Sequence, residues 1–409
     1  EPFETLQHKI AAVAALCFEQ DVSSIRVEHM KGGSYNRVAA LTISPRPKRT
    51  RLTWFHALLQ TLFPSWYQGA LQTSESPDSK SYIIRILRFE GEDEDFGVNR
   101  DVAILKTVGA LLDLPIPTVV SYDPTSNNAM GKPYMIQSRL PGKNLAALMN
   151  EKTLNIEQLK CIAKRVTELV PKIAAVEGPG GAIPLNALSS DSTQLQVESL
   201  HLQHDKLGDK LFRLPDEPQD TYEHLLEQCR RWSEYHRENS YFTFGEIWCN
   251  FGRIVQSLDE RGFLEGPCVL AHRDLMAYNL LAEVRSNTDV EITGVIDWDS
   301  ALMVPEFVAY RAPFWLWTED HIASDIADDE IMVNTSPHSE TCKILKQVFL
   351  DNASEKFKRF AFSPEAMLAR RMYVIIKEGI ASDWYMDEAW DIVRDWHLLH
   401  PDDGIQLPE

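Results

Sequence analysis

Apolar positions fall with two different periods along the chain, and the change between them divides it. Leu6, Ile10, Val13 and Leu16 recur at helical spacing and predict an amphipathic helix over 4–20. Residues 25–30 alternate and predict a strand, followed by a glycine turn over 31–38 and a second apolar run, Ala39 to Ile43. Ser81 to Leu87 predicts a buried strand, and Val102, Leu105, Val108 and Leu112 mark one face of a helix over 99–112. Stretches 115–122 and 133–140 complete a small sheet, which Pro141-Gly142 closes as a hinge. From Leu145 the period turns helical. Ile156, Leu159, Ile162, Val166, Leu169 and Ile173 line one long helix, with further helices over 221–238, 244–258 and 365–399.

These elements predict an α+β chain: residues 1–140 as a strand-rich unit and 141–409 as a helical one. Two features interrupt that order. Residues 44–80 break the first hairpin with a basic run, Arg46 to Arg51, an aromatic helical piece around Trp54 and Phe55, and a polar linker. That segment reads either as a helix packed on the small sheet or as a lid or a contact element for a partner or a membrane surface. The second interruption is Val269-Leu270-Ala271 and Leu280-Leu281-Ala282, two short strands within the helical part, with a polar loop between them.

Composition narrows the function classes. The 409 residues are 44% apolar and 25% charged, ordinary for a globular protein. A net charge of −19 argues against a nucleic-acid partner, which needs clustered Lys and Arg, and it permits a cationic substrate. Six scattered cysteines form no zinc spacing and suit a reducing, cytoplasmic compartment. No apolar run reaches membrane-spanning length. The sequence opens at Glu1 rather than Met, which leaves organelle import open.

The polar loop carries the candidate chemistry. Between the strands lie His272, Arg273, Asp274 and Asn279, and a further apolar strand, Thr293 to Ile296, ends at Asp297-Trp298-Asp299. Mg²⁺ prefers hard oxygen ligands and takes few of them from protein, so Asn279 and Asp297 suit it. Asp274 is then free to receive a proton from a hydroxyl, while His272 braces the loop backbone. That division of labour is what phosphoryl transfer needs, because its catalysis is mainly positioning and charge neutralisation. Asp299 either adds a metal contact or orients the loop, and Trp298 packs behind the site. Other histidines, His201, His204 and His236 among them, are expected at the surface.

The pattern H-x-D-x-x-x-x-N followed by I-D-W-D resembles the aminoglycoside phosphotransferase and choline kinase-like family, the small-molecule branch of the protein-kinase-like fold. The resemblance implies a bilobal fold with a small antiparallel-sheet lobe and a large helical lobe. It implies ATP, with GTP not excluded, and Mg²⁺. It places nucleotide phosphates on Gly32, Gly33, Ser34 and Asn36, and on Arg85 paired with Asp101. It gives adenine the Ser138 carbonyl and the Leu140 amide. Arg85 departs from the lysine of protein kinases. The short run from Ser300 to Glu306 leaves no room for an activation loop, which argues against a protein substrate. For the small-molecule acceptor, Phe314 to Trp317 and the acids at 319–330 and 383–388 read either as an amine site or as core aromatics beside a solvated acidic face. The rival to an enzyme is a nucleotide-binding pseudokinase or scaffold with little turnover.

Overall fold

The computed structural model describes residues 2–30, 32, 36–44, 79–88, 97–185, 195, 197–198, 200, 219–239, 244–318 and 332–407. Expectations for Gly33, Ser34, His201, His204, residues 45–78 and the acids at 319–330 lie outside them. Backbone contacts divide the chain into two units, 1–102 with 117–139 and 103–116 with 140–409.

The smaller unit is built on an antiparallel sheet of five strands: β1 (Ile25–Met30), β2 (Asn36–Ile43), β3 (Lys80–Leu87), β4 (Val119–Asp123) and β5 (Tyr134–Ser138), in the order β1-β2-β3-β5-β4. Helix α1 (Phe3–Cys17) covers one face. Its Leu6, Ile10, Val13 and Ala14 pack with Leu41, Ile43, Ile84, Ile86 and Ile136. Alternation along β3 then sends Arg85, between Ile84 and Ile86, to the opposite face. Ile43 pairs with Lys80 across β2 and β3, so the segment between them leaves and rejoins the sheet at neighbouring ends. Of the stretch 115–122, only Val119 onward enters the sheet. Pro115 instead accepts a backbone hydrogen bond from Val295 in the larger unit, at 2.9 Å.

Helix α2 (Val98–Leu111) starts in the smaller unit, and its residues from Ala103 onward group with the larger one. The larger unit continues with β6 (Lys143–Asn144), α3 (Leu145–Asn150), α4 (Ile156–Ile173), β7 (Glu177–Gly178), β8 (Gly181–Ala182), α5 (Thr221–Asn239) and α6 (Gly245–Glu260). A strand group follows: β9 (Cys268–Ala271), β10 (Leu280–Val284), β11 (Val290–Val295) and β12 (Leu302–Val304). The chain ends with α7 (Glu306–Ala309), α8 (Glu340–Asn352), α9 (Glu355–Phe362), α10 (Pro364–Glu378) and α11 (Asp383–Leu399). The helical stretch over 365–399 is therefore two helices, separated at Gly379, whose φ is +77°. Arg371 of α10 holds Glu388 of α11 bidentately, at 2.6 and 3.2 Å, and reaches Asp395 at 2.9 Å.

Two small sheets carry the loop. Strands β11, β10 and β6 form one, and β7, β9, β12 and β8 the other. Helix α4 begins with a capping box between Asn155 and Gln158. The same two side chains donate to the turn joining β10 and β11: Asn155 Nδ2 to the Asn287 carbonyl and Gln158 Nε2 to the Ser286 carbonyl, each at 2.9 Å. The helix start thereby fixes the outer end of the hairpin. At the inner end, Gly142 (φ +97°) crosses so close that a Cβ there would meet Thr293 Oγ1 and lie 2.8 Å from the Ala282 carbonyl.

His236, expected at the surface, is 4% exposed. Its ring stacks against Trp232 and Trp248, and its Nδ1 accepts from Trp248 Nε1 at 3.0 Å. Helix α5 turns this face inward, and aromatic neighbours distant in sequence bury it. Among the described residues no helix is long and apolar enough to cross a membrane.

Candidate active site

Strand β9 ends at Ala271, and the next residue, His272, is 2% exposed. Its Nε2 donates to the Ile296 carbonyl at 2.9 Å, and its Nδ1 accepts the Asp274 amide at 3.3 Å. These two bonds together require one neutral tautomer. Burial lowers the imidazole pKa below its ordinary value, against the opposing pull of the Ile296 bond and of Asp274 and Asp299. Trp298, fully buried, packs its ring 4.6 Å from the imidazole and donates to the Val295 carbonyl at 2.9 Å.

Arg273 follows in the left-handed region, φ +64°, a conformation that costs a long side chain energy and reverses the chain direction. The reversal presents Asp274. Asn279 Nδ2 donates to Asp274 Oδ2 and to the Asp274 backbone carbonyl, both at 2.9 Å. Both amide hydrogens are thus spent on Asp274, which turns the Asn279 oxygen away from it. Tyr278 Oη donates to the other carboxylate oxygen, Oδ1, at 2.7 Å.

Asp297 ends the neighbouring segment. Leu280 pairs with Val295, and Ile296 bonds on both sides of the loop, its amide to the Asn279 carbonyl at 2.9 Å and its carbonyl to His272. Asp297 is itself left-handed, φ +66°, which aspartate tolerates better than most residues. Its charge reaches the Tyr278 phenol. The phenol pKa is raised, first by burial, then by the Asp274 bond and charge and by Asp297, while Arg311 opposes. The structure therefore brings His272, Asp274, Asn279 and Asp297 to one loop cluster.

Asn279 and Asp297 offer an amide oxygen and a carboxylate, both hard donors, and so fit Mg²⁺ completed by phosphate and water. Among the described residues no three His, Cys, Asp or Glu side chains group to hold a metal by themselves.

In the smaller unit Arg85 Nη2 lies 3.8 Å from Asp101 Oδ2, with both side chains largely buried. Asp101 occupies the first turn of α2, where the helix dipole favours an acid. Gly32 approaches the β2 backbone so closely that a Cβ would sit 2.5 Å from the Asn36 carbonyl. Asn36, 9% exposed, opens β2. Ser138 closes β5 and bonds Thr118 through both its amide and its hydroxyl, at 2.9 and 2.8 Å. Leu140 begins the second segment of the larger unit. Trp315 and Trp317 are buried in the core, and Glu388 is held by Arg371.

The sequence reading missed two residues. One is Tyr278. The other is Asn144, which caps α3 and donates to the Tyr278 carbonyl at 2.6 Å. An Asn immediately before a helical run is a capping signal. A phenol beside Asn279 had no pattern to betray it.

The five-stranded antiparallel sheet, the helical unit and the loop between short strands define an α+β, protein-kinase-like phosphotransferase. The chain belongs to the phosphotransferase enzyme family (APH), whose family model matches residues 71–305. Comparison with curated proteins returned no match. Among solved structures, it is similar to the GDP complex of wild-type aminoglycoside 2'-phosphotransferase-IIIa at 14% identity, covering 95% of this chain and 98% of that one, with a TM-score of 0.42. It is also similar to macrolide 2'-phosphotransferase from Brachybacterium faecium (12% identity, 92% and 96% coverage, TM-score 0.40). A third is choline kinase from Cryptosporidium parvum (13% identity, 97% and 96% coverage, TM-score 0.35).

Proposed function

We propose that the protein transfers the γ-phosphate of ATP to a hydroxyl of a small molecule. The observation that carries this reading is the cluster of Asp274, Asn279 and Asp297, fixed by backbone bonds through Ile296 and His272. Asp274 receives the acceptor's proton at a carboxylate oxygen. Asn279 holds that carboxylate through its amide nitrogen and offers its oxygen, with Asp297, to the metal. Bound Mg²⁺ supplies neutralisation of phosphate charge. Neutral His272 spaces the loop and adds no charge of its own.

In the smaller unit Arg85, braced by Asp101, grips phosphate oxygens, and the turn from Gly32 through Gly33, Ser34 and Asn36 offers backbone amides to them. The Ser138 carbonyl accepts from the adenine edge and the Leu140 amide donates to it, and GTP would use the same groups. The short link from Ser300 to Glu306 favours a small acceptor over an extended protein one. Six free cysteines suit a reducing cytoplasm.

The test is ADP release with Mg-ATP over a panel of amino sugars, choline and amino acids. Asp274→Ala is expected to bind Mg-ATP as the wild type does and to lose transfer by roughly a thousandfold or more. Transfer that survives this substitution would remove Asp274 as the base.

A further inference from the structure

The Asp274 carboxylate is approached on both oxygens before any acceptor arrives. Asn279 Nδ2 holds Oδ2 at 2.9 Å, and the Tyr278 hydroxyl holds Oδ1 at 2.7 Å. The amide contact serves the reading above, whereas the phenol contact is not needed by it. Tyr278 is nonetheless firmly placed. Asn144 Nδ2 fixes its carbonyl at 2.6 Å, and the next residue closes a tight turn onto the Met276 carbonyl at 2.9 Å. Tyr278 as a whole is 37% exposed, so it bridges solvent and the buried foot of the loop.

An alcohol that is to lose its proton to Asp274 must donate its O–H to a carboxylate oxygen within about 3 Å. The phenol already stands in such a position, and its oxygen excludes a second oxygen from the same lone-pair direction. Water is the acceptor always present at high concentration, so it is the first competitor that this arrangement turns away.

We propose that Tyr278 is a shutter on the catalytic carboxylate: its hydroxyl covers Asp274 Oδ1 until an acceptor hydroxyl displaces it, which keeps water from attacking bound ATP. This rests on the phosphotransferase reading above. In the step that is held back, a water O–H bond breaks and its proton passes to Asp274. The water oxygen bonds the γ-phosphorus as the bond to the ADP oxygen breaks. In the productive step the acceptor oxygen replaces water, and the phenol withdraws with its proton still attached. Tyr278 is thus a positioning residue that sets the partition between transfer and hydrolysis.

The experiment needs no knowledge of the acceptor. Phosphate release from Mg-ATP is measured with the full chain alone, for wild type, Tyr278→Phe and the double variant Tyr278→Phe/Asp274→Asn. Nucleotide binding is followed by titration and folding by thermal melting. Tyr278→Phe keeps the ring and loses only the hydroxyl, and it should bind ATP normally and release phosphate roughly tenfold faster. That gain should vanish in the double variant. A residue that merely supported the loop would lower the melting temperature and leave hydrolysis unchanged or slower. Wild-type hydrolysis rates in a Tyr278→Phe protein that binds ATP would overturn the shutter and leave the phosphotransferase reading standing. Phosphate found on Tyr278 of the wild type by mass spectrometry would also overturn it, by making the phenol an acceptor. Failure of every form to bind Mg-ATP would remove both.

Discussion

At the scale of single residues, the chain repeatedly holds imidazoles in their neutral form. His272 is neutral because both ring nitrogens are committed to backbone partners. His224 and His236 are neutral because burial pushes each pKa down to about 4, from an ordinary 6.5. A depressed histidine pKa stabilises the fold fully above the unfolded value, and that stability drains away as pH falls from 6.5 toward 4. At pH 5 each of these two rings should cost about 2 kcal/mol relative to pH 7. Urea midpoints at pH 7 and pH 5 measure the loss, and the double substitution His224→Gln/His236→Gln should flatten it. The sequence betrayed His272, which is fixed by its spacing to Asp274. It did not betray His236, since nothing local announces that Trp232 and Trp248 will close over that ring. The same limit hid Tyr278, whose role depends on the direction of one side chain.

At the scale of elements, helix α4 and the β10–β11 hairpin behave as one part. Asn155 caps the helix and also holds the hairpin turn at Asn287, while Arg165 reaches Asp289 on the same turn at 2.7 Å. Asn155→Ala should therefore cost about 1–2 kcal/mol of stability, at the upper end of the range for a lost cap, and denaturant melts should show it. Strands and helices with a clear period, such as β1, β3 and α4, were readable with nearly their observed bounds. Two-residue β6 was not, because it forms only through pairing with Leu281 and Ala282 far along the chain. The break in the last helical stretch was also missed. Its apolar period resumes after Gly379, while the bend there is a backbone event.

At the scale of the whole molecule, the shift from strand-rich to helix-rich sequence foretold an α+β chain in which a loop between short strands bears the acids. Sheet order was less accessible. Placing β5 between β3 and β4 depends on long-range pairing that no local pattern encodes. The proposed function has a consequence at this scale as well. A ligand bound by the native chain alone must raise its stability, by about 2.7 kcal/mol at a hundred times its Kd. Mg-ATP should do so, and EDTA added to the ATP should remove most of the gain, as calorimetry or thermal melting would record.

The strap at Gly142 links these scales. Two positions along from it, Asn144 pairs with Leu281 and anchors the tyrosine that touches the Asp274 carboxylate. A single methyl group added at Gly142 has nowhere to go but into the Ala282 carbonyl and the Thr293 hydroxyl, so Gly142→Ala must lift the strap and carry its anchor along. The expected enzyme still folds and binds nucleotide, yet passes phosphate to its acceptor sluggishly while releasing phosphate from ATP alone faster. Circular dichroism and nucleotide titration beside a turnover assay would expose that dissociation. In the proposed reaction, a residue with no side chain at all would then set the aim of the chemistry.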